Sequence, residues 1–505
     1  MSREGTGRVM ASPVDVARVP LFPLLIIQGI ILFGLGTGQV AGAMTGEADE
    51  GVLDYQRLAP MSPLAKVLGY LFGLPIREWV LFVATMPFTI ISLLEGHVPL
   101  QYAFQLYAVF VMAALLYHLT GLLTGTVMKN RRWAFLGSMG LVLLLYTIIP
   151  QAAKFGLVYF KYLTIYPVVE EVMPHFTPQR LGQLVDAYQM MVPPAKFFGL
   201  DLPQYVVTLV SQAVLSFAMI VMLWRHWRKA ESHLLGKLGA VGLFAWLQVV
   251  LLGNALPLID GGDIFPSREL RRRFGRVLNP QSEFWKPEIG EAVMMVGLFG
   301  VVTMGVMWWM TLIISPSRDT QIRGWRRARK FGNSKLPTLS DAATSFPWVF
   351  VMAGIGVTGW YIFAQAILDS RWYPGQELST IALPAMVIIA LTGGWALQAL
   401  LETKGRKVAG LIAIFVGVIP VMLAIIMGVS GGLISPAVWM AGICPVSWPV
   451  YGSGLFIPDS GLPRDVVRAL PNAFWFWQGV GLLVTGWLLA KLRESRLKIS
   501  RESMD

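Results

Sequence analysis

The sequence predicts an all-α polytopic membrane protein with about 11–12 transmembrane helices in two pseudo-equivalent halves. Three observations carry this. Apolar residues make up 55% of the 505-residue chain and charged residues only 14%, against about 25% charge in soluble domains. Apolar stretches of bilayer-spanning length, roughly 20 residues, recur along the chain. The basic residues between them fall in alternate loops.

With a mean hydropathy of +0.60, the chain lacks the polar surface that a soluble core would need, so lipid is expected to be its solvent. Eleven stretches qualify as spans: 20–42, 79–95, 103–128, 133–153, 204–224, 238–258, 291–314, 346–368, 379–401, 408–429 and 473–490. They are continuous rather than alternating, which indicates helices and not barrel strands. The single cysteine, Cys444, excludes an intramolecular disulfide. No Cys/His cluster has metal-ligand spacing, and no cofactor is expected. No short apolar core followed by small residues marks a removable signal peptide.

Basic residues mark cytoplasmic loops. Segments 43–78, 129–132, 225–237, 315–345, 402–407 and 491–505 together carry +13, while everything else carries −1. The net charge of +12 is therefore a topology signal rather than a nucleic-acid site, and the C-terminus is expected in the cytoplasm. Arg271, Arg272, Arg273 and Arg276 fall in 259–290, which the span count places outside. Eleven spans also place residues 1–19 outside, against their charge. Either the first segment is re-entrant, broken at Gly34-Leu35-Gly36-Thr37-Gly38, or a leading helix is missing.

The loops repeat in order. A cytoplasmic loop (43–78, then 315–345) is followed by a short outer loop (96–102, then 369–378). A short basic inner loop (129–132, then 402–407) comes next, then a long outer segment (154–203, then 430–472) and a basic stretch. The halves divide as 1–232 and 233–505. Such repeats are characteristic of transporters. The long outer segments, rich in aromatics and proline (Tyr159, Tyr162, Pro167; Trp439, Trp448, Pro449), suit short interfacial or re-entrant helices.

Ionisable groups within spans mark ion paths. No Asp, Glu, Lys or Arg lies at mid-span, and His118 is the only mid-span histidine. This argues against a proton- or sodium-coupled carrier and against a two-histidine haem. His118 and the mid-span amides Gln28, Gln212, Gln248, Asn254, Gln365, Gln398 and Gln478 are expected to bond between helices. Gly354-Ile355-Gly356-Val357-Thr358-Gly359 fits a dinucleotide fingerprint by letter, but lies within a span and reads as close helix packing. Glu170-Glu171 reads as a solvated helix face rather than a cation site.

Residues Tyr55-Gln56-Arg57-Leu58-Ala59-Pro60-Met61-Ser62-Pro63, with Gly73-Leu74-Pro75-Ile76-Arg77-Glu78, carry a resemblance. This stretch and the loop order resemble the type-2 ABC exporter permeases. The second half offers Leu336-Pro337-Thr338-Leu339-Ser340-Asp341, with Asp341 where Pro63 stands. The resemblance implies a two-half permease in the bacterial inner membrane, in contact with lipid and driven by a separate ATP-binding cassette ATPase. The chain itself has no Gly-x-x-x-x-Gly-Lys-Ser/Thr loop and is not expected to be an enzyme. The alternatives are a non-transporting subunit of a membrane complex and a secondary transporter. The implied coupling residues are Arg57, Pro60, Ser62, Pro63, Leu64, Leu68, Arg77 and Glu78, with Pro337, Ser340 and Asp341. Pro60 and Pro63 suit a helix start, and Leu64, Val67, Leu68 and Leu71 would form one apolar face. An Arg77–Glu78 ion pair would set the angle at the start of the next span. Ser340 or Asp341 would cap a short helix.

Overall fold

The computed structural model describes residues 12–178, 194–229, 232–268, 286–333, 336–430 and 432–502. The protein is an all-α polytopic membrane protein. Among the described residues ten helices are long and apolar enough to cross a bilayer, and the strands are two three-residue segments, Ala195–Phe197 and Leu200–Leu202. The arginines at 271–276 and most of residues 1–19 lie outside the described residues.

The chain divides into two compact units. The first takes Met1–Gln151, Tyr159–Lys196 and Leu200–Arg228, and the second takes Ala152–Val158, Phe197–Gly199 and Lys229–Asp505.

In the first unit, α1 (Pro13–Asp49) leads through Gly51 to α2 (Val52–Leu58) and α3 (Pro63–Gly73). Four long helices follow: α4 (Ile76–Glu95), α5 (Leu100–Val127), α6 (Arg131–Thr147) and α8 (Gln204–Arg228), with the short α7 (Tyr166–Phe176) between the last two. The Gly34–Gly38 run does not break the first helix, contrary to the re-entrant expectation. Residues Ile30–Gly36 widen into π-helical turns within a continuous α1 instead. His118 of α5 bonds there, its Nε2 donating to the Leu32 carbonyl at 2.9 Å. A Cβ on Gly36 would lie 2.6 Å from that nitrogen, so glycine makes the insertion possible. Further along, Gly121 and Gly125 bring α5 against α1. A Cβ on them would meet the Thr37 carbonyl at 2.7 Å and Met44 Cβ at 2.6 Å, which is the close approach small residues permit between membrane helices.

Gly36→Ala is therefore expected to separate His118 from Leu32. Leaving a buried donor unsatisfied costs about 1–3 kcal/mol, which outweighs the gain of up to ~1 kcal/mol that alanine brings to a helix. Gly137→Ala in α6, where nothing lies within 4 Å of the new Cβ, is expected to be neutral or stabilising. Melting temperatures in detergent check the pair; equal melting of both variants would refute the account.

In the second unit, α9 (Lys237–Ile259), α10 (Ile289–Ile314) and α12 (Phe346–Leu368) pack together. Helix α11 (Arg318–Lys330) lies between the last two in sequence. Trp360 donates its indole N–H to the Val296 carbonyl at 3.1 Å, and Phe299 stacks on Phe363 at 4.5 Å. The expected spans 379–401 and 408–429 fall on two helical stretches that meet at a kink within the expected inner loop, together labelled α13 (Ala382–Val429). Gly405 interrupts it with a left-handed φ of 81°, a conformation glycine adopts without steric cost. The short α14 (Ile434–Ala441) and α15 (Trp448–Phe456) precede the terminal α16 (Arg464–Glu502). Gly356 and Gly359 of the fingerprint-like run are packing sites, a Cβ there meeting Thr303 Cγ2 at 2.8 Å and Gln248 Oε1 at 2.6 Å.

The mid-span amides divide. Gln28 donates to Thr85 and Thr89 at 3.0 Å and accepts from Tyr107 at 2.8 Å. Gln212, Gln248 and Gln398 also bond outside their own helices. Asn254 and Gln365 bond within theirs, because a short carbonyl or carboxylate one turn away is already in reach.

Candidate functional site

The two loops that the sequence singles out lie at the ends of spans within their own units. In the first unit, Ser62 accepts from the Ala65 N–H at 3.2 Å and Pro63 stands in the first turn of α3, as the sequence predicts for a helix start. Pro60 lies before that cap, in the turn between α2 and α3. Lys66 closes this turn. It is buried, and its ammonium donates to the Ala59 and Arg57 carbonyls at 3.2 and 3.4 Å. Arg57 pairs with Asp54 at 2.6 Å and donates to His226 Nε2 at 3.3 Å, tying α2 to the end of α8.

Only half of the expected face of α3 is packed. Val67 and Leu71 are buried with Val40 and Met44 of α1, Leu119 and Leu122 of α5, and Leu223 and Trp227 of α8. Leu64 and Leu68 are exposed. Tyr70 packs on Trp227, ring centroids 5.2 Å apart and tilted by 46°, and donates to Glu47. Burial first, and then the Glu47 carboxylate, hold its phenol above the usual tyrosine range. One side of α3 is thus fastened to three spans. On the other side, Tyr55 and Leu58 of α2 are 78% and 84% exposed, and Met61 is exposed beside them. Arg77 and Glu78 pair with each other at 2.6 Å; Glu78 is buried while the Arg77 side chain is 71% exposed.

In the second unit the helical element precedes the Leu336–Asp341 stretch rather than following it. Ser317 caps α11 by accepting from the Thr320 N–H at 3.2 Å. Arg327, Arg329 and Lys330 fill its last turn, where they complement the helix dipole. It ends at Gly332, φ 72°, with the Asn333 N–H on the Ala328 carbonyl and the Gly332 N–H on the Arg329 carbonyl at 2.9 and 2.8 Å, a Schellman stop. Residues 336–345 are turns. Ser340 and Asp341 therefore cap no helix. Ser340 Oγ accepts from the Ala342 N–H at 3.3 Å, and Asp341 accepts from the His233 N–H at 3.3 Å. Pro337 is exposed.

What holds this loop was not foreseen. Lys237, at the start of α9, is 2% exposed. Its ammonium donates to the Ala343, Thr344 and Thr338 carbonyls at 2.7, 3.2 and 3.4 Å. Gln398 of α13 donates to Thr344 Oγ1 at 3.0 Å and to Glu402 Oε1 at 2.9 Å. Glu402 is buried and accepts from Arg496 Nε of α16 at 2.9 Å, with a second bond from the same guanidinium. Gly324 supplies the last contact. A Cβ there would lie 2.1 Å from Ala342 Cβ, so only glycine lets α11 lie against the loop. No Asp, Glu, His and Cys grouping suited to a metal occurs among the described residues.

No protein-family model, curated protein or solved structure matches this chain.

Proposed function

We propose that this chain is the permease subunit of an ATP-driven exporter, taking energy from a separate ATPase through α2–α3 and through α11 with the 336–345 loop. It works in the bacterial cytoplasmic membrane with its C-terminus in the cytoplasm. The observation that carries the reading is the two-sidedness of α2–α3. Inside, Lys66, Val67, Tyr70 and Leu71 attach it to α1, α5 and α8. Elsewhere on it, Tyr55, Leu58 and Met61 are not covered by the protein. Exposed apolar clusters of this kind mark sites of association. A loop that only joined two spans would need no buried ammonium, no hydroxyl cap and no attachment to a third helix. A push on such an element displaces the span ends together.

The test co-purifies the permease in nanodiscs with a candidate ATPase, sought as a neighbouring reading frame that carries a phosphate-binding loop. Leu58→Asp with Tyr55→Asp is expected to lower permease-dependent ATP hydrolysis about tenfold, a loss of ~1.4 kcal/mol of association, without shifting the melting temperature. Unchanged hydrolysis and co-purification would count against the reading. Haem or flavin absorbance in the purified chain would favour a subunit of a membrane redox complex instead.

A further inference from the structure

The π-helical turns of α1, Ile30–Gly36, pack against α4, α5 and α6. Such turns are rare and occur most often at functional sites. Four buried polar atoms around them make no hydrogen bond: Thr37 Oγ1 on α1, Glu78 Oε2 and the Trp79 indole nitrogen on α4, and His118 Nδ1 on α5. They are linked through His118. The Trp79 ring stands perpendicular to the His118 ring, with centroids 5.9 Å apart, and the Glu78 charge acts on the imidazole. Thr37 follows Gly36, whose missing Cβ leaves room for His118. Buried polar groups are normally paired, so four together on three helices call for a ligand.

The chemistry of the four atoms narrows that ligand. His118 donates from Nε2 to the Leu32 carbonyl, so in the neutral ring Nδ1 is an acceptor. Glu78 takes both bonds of the Arg77 guanidinium on Oε1, at 3.0 and 2.6 Å, which leaves Oε2 over. Further along α1, Thr45 donates to the Ala41 carbonyl one turn back. Thr37 comes directly after the π-helical turns and makes no such bond. The set is thus three acceptors, one of them anionic, beside an indole ring. An ammonium group carries three N–H donors and no acceptor, and it is attracted to the face of a Trp ring. An oxygen next to it, from a hydroxyl of the same molecule or a water, would accept from the Trp79 N–H. A metal ion matches less well, since one carboxylate and one imidazole are all the ionisable ligands the place offers.

We infer that Glu78, His118 and Thr37 bind the ammonium group of a small primary amine, with Trp79 as the wall of the site. Glu78 is in the first turn of α4, so the site lies close to the end of that span. It does not depend on whether α2–α3 receives an ATPase.

The experiment measures binding of radiolabelled methylammonium to the full chain in phosphatidylcholine nanodiscs by scintillation proximity. Saturable binding is expected, displaced by ethanolamine. Sodium and tetramethylammonium at equal ionic strength should not displace it, because neither has an N–H to donate. Glu78→Gln removes the anionic acceptor and keeps the shape of the side chain, and should weaken binding at least about tenfold. Trp79→Leu should weaken it about threefold or more. Trp79 is only half-buried, so this second variant decides the matter should Glu78→Gln disturb folding. Asp49→Asn, at an exposed carboxylate in the last turn of α1, should leave binding unchanged. The inference fails if methylammonium does not saturate, or if sodium or tetramethylammonium displaces it. It also fails if a Glu78→Gln or Trp79→Leu protein of unaltered melting temperature binds as the wild type does.

Discussion

Arg496→Ala is expected to cost about 3–5 kcal/mol of stability, because removing one partner leaves a buried charge uncompensated. The charge is Glu402, which is fully buried on α13 and takes two bonds from the Arg496 guanidinium of α16. Its other oxygen accepts from Gln398, so without Arg496 one carboxylate oxygen has nothing to face. Lys237 and Asp341 share the same field, and neither replaces a guanidinium in direct contact. Glu402→Gln on the Arg496→Ala background should recover most of the loss, since an uncharged amide is far cheaper to bury than a carboxylate. Unfolding of the four proteins of this cycle in mixed micelles reads out the pair. If Arg496→Ala unfolds where the wild type does, the buried pair does not hold α13 to α16.

Leu68→Pro should have the second large effect. Proline in the interior of α3 removes the bond from residue 68 to the Leu64 carbonyl and clashes with the preceding turn, a cost of ~3 kcal/mol or more. The helix that presents Val67 and Leu71 to α1, α5 and α8 would then be lost, and with it any force carried from α2. Stimulation of a partner ATPase should fall to background. Two companions separate the backbone from the side chain. Leu68→Ala removes an exposed side chain and should change stability by no more than about 0.5 kcal/mol. Val67→Ala empties a fully buried position and should cost roughly 2 kcal/mol. Should Leu68→Ala prove the costlier of the two, the packed face of α3 is wrongly assigned here.

That contrast shows where the sequence is legible. Span positions follow from apolar length alone, and each of the eleven stretches lies on a helix. The Ser62–Pro63 start of α3 follows from local chemistry that needs no partner. The packed face does not, because α3 carries two overlapping apolar stripes. Residues 64, 68 and 72 recur at helical spacing just as 67, 71 and 74 do, and only α5 and α8, far along the chain, decide between them. The same limit hid the charged cluster of the second unit. Lys237, Glu402 and Arg496 each sit beside a span, where a charge reads as a mark of sidedness. Their meeting is set by how α9, α13 and α16 pack, across separations of 94 and 165 residues. The helix expected after Ser340 was misplaced for a related reason. Pro337 and Ser340 resemble a helix start, but the carbonyls of Thr338, Ala343 and Thr344 are drawn to Lys237 and are not available for helical turns.

Those three bonds also count degrees of freedom. A surface loop of ten residues ordinarily samples many shapes, and its displacement says nothing about the helices beneath it. Here a single ammonium holds three carbonyls of the loop, one near its start and two near its end, and the loop cannot withdraw without leaving that buried charge without acceptors. The 336–345 segment and the start of α9 therefore share one coordinate: whatever displaces the loop displaces the membrane helix.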